Sequence, residues 1–323
     1  MTVETLEQLL APVTPEEFFS DYFGKKPLHV PGTPEKFRGL MDWDTLNEML
    51  RRTEFWTSDN FRLVKQGNHA PPPVYCRPTP PSVMRQVMRP AWDLVQPNLK
   101  AGATIALYFV QSMTEPLREL TSMLESEVHG RLQMNIYCSW VREQGLHPHF
   151  DTHDVFAFHI EGKKEWRVYD DPIDRPVAHD MFEGDARKRL DAKKRDVYLK
   201  PMMEPGSFLY IPRGWYHEAR GLTDGCFHIA AGMHYPVGLD VLTTLWNRLS
   251  ADPAFRSRLA LPTDDGGEAA LEAQLEEMAN AAADVFRQPD VLKEIVRVRD
   301  TFRTEKFPAD LPASVVGNDS KKS

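Results

Sequence analysis

The sequence contains little cysteine. Cys76, Cys138 and Cys226 lie far apart among 323 residues, and no two of them have the C-x-x-C spacing. A disulfide framework needs an even set of cysteines, and a zinc knuckle needs closely paired ones. This pattern argues against both and predicts unpaired thiols in a reducing cytoplasm.

Long apolar runs and leader segments are also lacking. No segment approaches the roughly 18 uninterrupted apolar residues that a membrane helix needs. The first residues, MTVETLEQLL, have no basic start followed by an apolar run. There is no Gly-rich phosphate loop and no Ser-centred nucleophile elbow. A cytoplasmic protein without a membrane partner is expected.

Positive charge is scarcer than negative charge. The chain has 39 Lys and Arg residues against 47 Asp and Glu residues, a formal net charge of -8. Nucleic-acid-binding proteins usually present a basic surface, so this balance argues against one that covers the whole chain. No direct nucleic-acid partner is expected.

Three regions of the chain differ in the pattern of their apolar and polar residues. Residues 1–100 combine helical patterns with a short strand and form an N-terminal extension. Residues 101–236 contain short apolar, β-branched and aromatic runs such as ATIALYFV, DVFAFHI and GSFLYIPR. Several such strands between turn signals predict a sandwich or barrel. Residues 237–323 are amphipathic and predict a C-terminal helical bundle, ending in a disordered tail, VVGNDSKKS. The predicted fold class is mainly β with α extensions.

Four of the eleven histidines crowd into GLHPHFDTHDVFAFHIEGKKEW, residues 145–166. If this segment is extended, side chains two apart share a face. His147, His149, Asp151 and His153 would then point the same way, and several of them could hold a metal.

A second segment, PGSFLYIPRGWYHEA (205–219), places a strand, a Pro-Gly turn and His217 in succession. This order matches the second metal-site motif of cupins. Gly206, Pro212 and Gly214 favour a tight turn, which would present His217 inward.

Two ligand sets are compatible with these segments. One pairs His147 and His149 with the carboxylate of Asp154, as in metal cupins of the His-x-His type. The other combines His149 and Asp151 with His217, the two-histidine, one-carboxylate triad of non-haem iron oxygenases. Spacing alone leaves both open.

Two lysines follow, directly before an apolar and aromatic run. Lys163 fits a solvated turn at Gly162, whereas Lys164 is predicted to enter a barrel strand. A buried ammonium is costly unless an anion accompanies it. A dicarboxylate co-substrate would be such a partner.

Together these segments resemble the JmjC-type Fe(II)- and 2-oxoglutarate-dependent oxygenases, especially the ribosomal oxygenase branch. The resemblance covers roughly residues 15–300 and includes NIYCSW, HFDTHDVFAFHIEGKKEWRVYD and GSFLYIPRGWYHEA. It implies a double-stranded β-helix (the jelly-roll of cupins) in residues 101–236, and a C-terminal region that forms a homodimer.

The resemblance also implies roles for single residues. His149, Asp151 and His217 would bind Fe(II). Lys164 and Tyr137 would hold the far carboxylate of 2-oxoglutarate, with Asn135 beside Tyr137 on the preceding strand. Dioxygen would be the second co-substrate. One departure is that Ala231-Gly232 stands where relatives often have Ser or Thr near the co-substrate.

The other histidines receive structural interpretations. His147 is expected at the rim of the site, and His153 at the surface or in a substrate pocket. His159 and His228 lie in apolar strands and are interpreted as packed core histidines.

The function that these residues imply is hydroxylation of an amino-acid side chain in a protein or peptide. A ribosomal protein is the first candidate substrate. A ribosomally made precursor peptide is next, because too few residues follow Phe302 for the winged-helix-like domain with which that branch usually ends. The alternatives are a lysine demethylase, a metal-binding cupin that uses His147 and His149 without 2-oxoglutarate, and a non-catalytic binding protein.

Overall fold

The structure, a computed structural model, describes residues 3–80, 82, 86–140 and 145–304. The tail predicted to be disordered lies outside these ranges. The strands are β1 (Leu28–Val30), β2 (Phe61–Lys65), β3 (Asn68–His69), β4 (Cys76–Pro78), β5 (Met88–Pro90), β6 (Thr104–Tyr108), β7 (Arg131–Ser139), β8 (Asp154–Glu161), β9 (Lys164–Tyr169), β10 (Val197–Leu199), β11 (Met202–Met203), β12 (Phe208–Ile211), β13 (His217–Gly221) and β14 (Cys226–His234). The α-helices are α1 (Leu6–Leu10), α2 (Pro15–Glu17), α3 (Trp43–Leu50), α4 (Trp92–Lys100), α5 (Glu115–Val128), α6 (Gly184–Asp191), α7 (Gly238–Ala251), α8 (Gly267–Arg287) and α9 (Pro289–Thr301).

Several helices begin at residues whose side chains satisfy the first backbone N–H groups. The Thr14 hydroxyl accepts a hydrogen bond from the N–H of Glu17, with proline in the first turn of α2. The carboxylate of Asp42 accepts from the N–H of Thr45 at 2.7 Å and caps α3. Such caps satisfy donors that lack an intrahelical partner.

Two antiparallel sheets face each other. The larger has eight strands in the order β1-β12-β8-β14-β7-β6-β2-β3, and the smaller has β10, β9 and β11, with β13 also paired to β9. Strands β1, β2 and β3 come from the first 100 residues, and they extend the larger sheet at both edges. The mainly β architecture with helices that the sequence predicts is confirmed.

The larger sheet is buried on both faces, and β8 illustrates how. Because side chains alternate along a strand, Phe156 and Phe158 join the core between this sheet and the helices, while Val155 and Ala157 pack between the two sheets. A strand covered on both sides has a nearly continuous apolar sequence. This explains why DVFAFHI lacks the polar alternation of a half-exposed strand.

The C-terminal helices form a smaller core of their own around Leu245, Val285 and Val291. The first of these helices, α7, ends at Ala251. Pro253 then begins a 3-10 turn that the Asp252 side chain caps. Proline lacks the N–H that a continuing helix would need. Among the described residues, no helix has the length and apolar character required to span a bilayer.

Candidate active site

A cavity of about 620 Å³ opens between the two sheets. Side chains of β7, β9, β13 and β14 line it, together with residues 145–151 and the β2–β3 hairpin. Both informative sequence segments therefore meet at one place, although they are far apart along the chain.

His149, Asp151 and His217 come together at this cavity. Each offers one ligand atom, and these three atoms lie within 4.8 Å of one another. His149 and His217 form an isolated antiparallel bridge, with N···O distances of 3.1 and 2.7 Å. The bridge holds the loop before β8 against the start of β13, and it sets the spacing of the two imidazoles.

Backbone carbonyls orient both imidazoles. Nδ1 of His149 lies 2.8 Å from the carbonyl oxygen of His147, and Nδ1 of His217 lies 3.0 Å from that of Trp215. A carbonyl oxygen can only accept, so each Nδ1 carries the proton. The lone pair of each Nε2 is therefore free for a metal, which is the usual arrangement for histidine ligands.

The electrostatics keep Asp151 and His217 in the forms that bind a cation. Burial alone would raise the pKa of Asp151, but the neighbouring imidazoles of His153, His149 and His217 outweigh it and lower that pKa to about 2. Burial lowers the pKa of His217 to about 4. At neutral pH the cluster therefore offers one carboxylate and a neutral His217 imidazole.

The predicted Pro-Gly turn positions His217. Gly214 has φ of +87°, its N–H donates to the carbonyl of Asp151 at 2.9 Å, and its carbonyl accepts from the N–H of Ile173 at 3.0 Å. A Cβ at this position would lie 2.1 Å from the carbonyl oxygen of Ile173. Only glycine fits both the backbone conformation and the space.

We expect Gly214→Ala to lower the free energy of unfolding by at least about 2 kcal/mol, because left-handed strain costs about 1–3 kcal/mol and the overlap with Ile173 adds to it. Displacement of His217 should also weaken Mn(II) binding. Thermal unfolding and calorimetric titration measure the two effects.

Gly39→Ala is the matched control, because Gly39 has φ of +89° but open space around its Cβ position. This variant should lose stability only through left-handed backbone strain, and it should bind Mn(II) as the wild type does. Equal metal affinity in both variants would contradict this role for Gly214.

The segment before Asp154 is not a regular strand, because β8 begins only at that residue. The condition of an extended strand is therefore not met, although all four side chains line the cavity. The N–H of His147 donates to the carbonyl of Gly67, and its ring lies against this glycine. The ring of His153 packs on His234 at 4.7 Å between centroids.

The carboxylate of Asp154 is hydrogen-bonded to the surrounding scaffold and does not face the cavity. Its carboxylate accepts hydrogen bonds from the Tyr210 hydroxyl at 2.7 Å, the Arg213 N–H at 2.9 Å and the Tyr235 hydroxyl at 3.2 Å. It is buried and lies outside the cavity lining. The ligand set that pairs His147 and His149 with Asp154 therefore has no counterpart in the described residues.

The two lysines differ as the sequence suggests. Lys163 lies in the turn at Gly162 and forms an exposed ion pair with Glu204. Lys164 starts β9 and is only 3% exposed. Its ammonium donates to the carbonyl of Tyr137 at 3.2 Å and to Nδ1 of His228 at 3.0 Å. Burial lowers the pKa of Lys164.

Strands β7 and β14 line the cavity opposite Lys164. Asn135 and Tyr137 face it from β7, and burial raises the pKa of Tyr137 well above its usual value. On β14 the lining residues are Ala230 and Gly232. Ala231 instead faces the core behind the sheet, so only the second half of the Ala231-Gly232 pair lies near the site.

Sequence reasoning missed two residues of this cavity. His228 was interpreted as a core histidine and Trp166 as part of an apolar run, yet both line the cavity beside Lys164. Strand alternation could have identified Trp166. It lies two residues after Lys164 on β9, and side chains two apart on a strand share a face. His159, by contrast, packs against the turn, with Nε2 2.9 Å from the carbonyl oxygen of Gly162.

Comparison with known proteins agrees with this geometry. A model of the JmjC domain matches residues 109–241. The bifunctional lysine-specific demethylase and histidyl-hydroxylase NO66 of Drosophila persimilis is 28% identical over 268 residues, which cover 80% of this chain and 36% of the relative. Ribosomal oxygenase 1 of Gallus gallus is 28% identical over 225 residues, which cover 68% of this chain and 35% of the relative. The chain thus spans about a third of the length of these curated relatives.

Solved structures show the same fold. Escherichia coli YcfD superposes with a TM-score of 0.60 at 17% identity, covering 94% of this chain and 75% of YcfD. A second structure shows YcfD, a ribosomal oxygenase, in complex with cobalt and 2-oxoglutarate. It has a TM-score of 0.56 at 17% identity and covers 90% of this chain and 71% of YcfD. The domain match, the relatives and the fold confirm the resemblance seen in the sequence: residues 109–241 match the JmjC domain, and the chain is similar to the ribosomal oxygenases.

Proposed function

We propose that the protein is a Fe(II)- and 2-oxoglutarate-dependent hydroxylase of an amino-acid side chain in a protein or peptide. One observation carries the proposal: a His-Asp-His cluster and a buried lysine ammonium line the same cavity. The cluster suits a cation, and the ammonium suits an anionic co-substrate.

The donor set fits iron. In this proposal His149, Asp151 and His217 hold Fe(II), since two imidazoles and one carboxylate on one face are typical of non-haem Fe(II) oxygenases. The carbonyls of His147 and Trp215 fix the two ring orientations. Three protein ligands would leave further coordination positions of the metal open.

The cavity also fits 2-oxoglutarate. Lys164 would bind the far carboxylate, because an ammonium with no charged partner in the described structure gains most from an anion. Tyr137, which stays neutral at physiological pH, would donate its hydroxyl proton to the same carboxylate, and Asn135 would line the path between that end and the iron ligands.

The chain's own residues orient the reactants and limit water. When bound, Fe(II) and 2-oxoglutarate supply oxidative decarboxylation, coupled to the insertion of one oxygen atom into a C–H bond. In this proposal the buried Lys164 orients the co-substrate, while a side chain of the substrate would approach beside His149 and Asp151, which are only partly buried. Trp166 and Val155 provide apolar walls.

A ribosomal protein is the favoured substrate class, and a ribosomally made precursor peptide is next. The names of the relatives support a protein substrate. Lysine demethylation uses the same cofactors and is the less favoured alternative, carried only by the name of the NO66 proteins. A metal-binding cupin or a non-catalytic binding protein would leave the buried Lys164 without a purpose.

The test combines two measurements. Succinate release should require both Fe(II) and 2-oxoglutarate, and mass spectrometry of ribosomal proteins and candidate peptides after incubation should reveal the gain of one oxygen atom. Absence of both would contradict the proposal. Metal binding that survives His149→Ala and Asp151→Ala but disappears in His147→Ala would favour the metal-binding cupin instead.

We further propose that residues 101–236 form a double-stranded β-helix, with an extension at 1–100 and a C-terminal helical region from 237 that pairs two chains. Support for the pairing comes from α7, where Leu239, Leu242 and Trp246 are all exposed. Their spacing of three and four places them on one face. A contiguous exposed apolar face is typical of an interface.

Trp246→Glu should convert the dimer to a monomer, because Trp246 is 69% exposed in the single chain and a buried, unpaired carboxylate would oppose pairing. Light scattering should give twice the chain mass of 37.0 kDa for the wild type and the single mass for the variant. Trp92→Glu, at another exposed tryptophan on α4, should remain dimeric. A wild-type monomer would contradict the pairing.

A further inference from the structure

His228 makes a contact across the interior of the protein. It lies on β14 of the larger sheet, whereas Lys164 lies on β9 of the smaller one, and Nδ1 of His228 is 3.0 Å from Nζ of Lys164. The other hydrogen bond of the ammonium goes to the Tyr137 carbonyl on β7. The larger sheet thus holds the buried lysine in the cavity by two contacts.

The protonation state of this contact follows from its chemistry. An ammonium can only donate, so Nδ1 of His228 accepts and the ring is neutral, with its proton on Nε2. Burial and the charge of Lys164 both lower the pKa of His228. Two aromatic rings contact the imidazole: Tyr137 is stacked on it at 5.2 Å, and Trp166 makes a T-shaped contact at 5.2 Å. Both contacts restrict the orientation of the ring.

The two hydrogen-bond partners of Lys164 determine whether its positive charge is neutralised. The carbonyl of Tyr137 and the imidazole of His228 orient the ammonium without neutralising it, and within the described residues no carboxylate pairs with Lys164. An Asp or Glu in place of His228 would occupy the lysine with an internal ion pair. A neutral acceptor stabilises the charged form and leaves the charge available to an incoming anion.

We propose that His228 is a positioning residue for co-substrate recognition: it orients the Lys164 ammonium as a neutral acceptor and keeps it available for the far carboxylate of a dicarboxylate. This inference rests on the proposed function. It assigns to His228 a role through Lys164 and no direct part in the reaction.

The first test is calorimetric titration of 2-oxoglutarate into the Mn(II)-loaded protein. His228→Leu, which removes the acceptor, should weaken binding by about tenfold or more, the usual range for a hydrogen bond to a charged group. His228→Asn keeps an acceptor at the position of Nδ1 and should stay within a few-fold of the wild type. 2-Oxobutanoate, which lacks the far carboxylate, should bind the wild type and both variants equally.

A charge test separates positioning from simple packing. His228→Asp should bind 2-oxoglutarate more weakly than His228→Leu does, because its carboxylate competes for Lys164. Its melting temperature should nevertheless equal or exceed that of His228→Leu, because the buried ammonium gains a partner. In a Lys164→Met background, His228→Leu should cause no further loss of affinity.

The outcomes distinguish a failure of the proposed function from a failure of the role of His228 alone. If the Mn(II)-loaded wild type does not bind 2-oxoglutarate, the proposed function fails and the inference fails with it. If the wild type binds but His228→Leu binds equally well, the inference alone is overturned. The same holds if His228→Leu weakens 2-oxobutanoate and 2-oxoglutarate to the same degree, since that result indicates a general packing defect.

Discussion

Asp151→Ala is expected to weaken Mn(II) binding by more than about 100-fold and to abolish succinate release. Asp151 is the one carboxylate of the three-residue cluster, and loss of even a group that supports a metal ligand costs about 10–100-fold in affinity. The variant should fold, because within the described residues the Asp151 side chain makes no hydrogen bonds to the scaffold comparable to those of Asp154. Calorimetry and thermal unfolding measure the two properties separately.

Asp154→Asn is the matched control, three residues further along the same segment. Its carboxylate accepts three hydrogen bonds from the scaffold, and Asn can accept with only one oxygen. We therefore expect lower stability with metal affinity largely retained. The reverse pattern, with metal binding lost in Asp154→Asn and retained in Asp151→Ala, would exclude the proposed ligand set.

Lys164→Met is expected to weaken 2-oxoglutarate binding by at least about 30-fold, with Mn(II) affinity unchanged. Removal of one partner of a buried, hydrogen-bonded charge pair costs about 2–5 kcal/mol, and 2 kcal/mol corresponds to about 30-fold in affinity. Without ligand the variant should be as stable as the wild type or more stable, because an apolar chain replaces a buried ammonium. A lower stability with unchanged affinity would contradict the assignment.

Lys163→Met removes the same charge one residue earlier. Lys163 is exposed and pairs with Glu204 at the surface, and exposed ion pairs contribute little, about 0–1 kcal/mol. Neither affinity nor stability should change measurably. The contrast between two adjacent lysines therefore isolates the effect of burial.

Much of the site could be predicted because its residues lie in two short, local patterns. The turn that ends in His217 depends on the backbone conformation of Gly214 and on Pro212, which act within a few residues of sequence. The difference between Lys163 and Lys164 follows from strand alternation after Gly162. These are local effects, so the chain encodes them without reference to distant contacts.

Other assignments needed contacts that the sequence does not contain. His147 and Asp154 are as suitable chemically as His149 and Asp151, and only the Gly67 and Tyr210 contacts remove them from the ligand set. His228 looks like a core residue in an apolar strand. The cavity that it lines exists only because β14 and β9 belong to sheets that face each other.

The sequence by itself determined the mainly β architecture, the presence of residue types suited to bind a cation and the presence of a lysine directed inward. Periodicity and turn chemistry, which act over a few residues, carry that information. The tertiary structure alone decided which histidines and carboxylates meet, which ones support the scaffold, and that His228 reaches Lys164. Those choices depend on the packing of two sheets, where residues more than 60 positions apart come within hydrogen-bond distance, and no local pattern specifies such a contact.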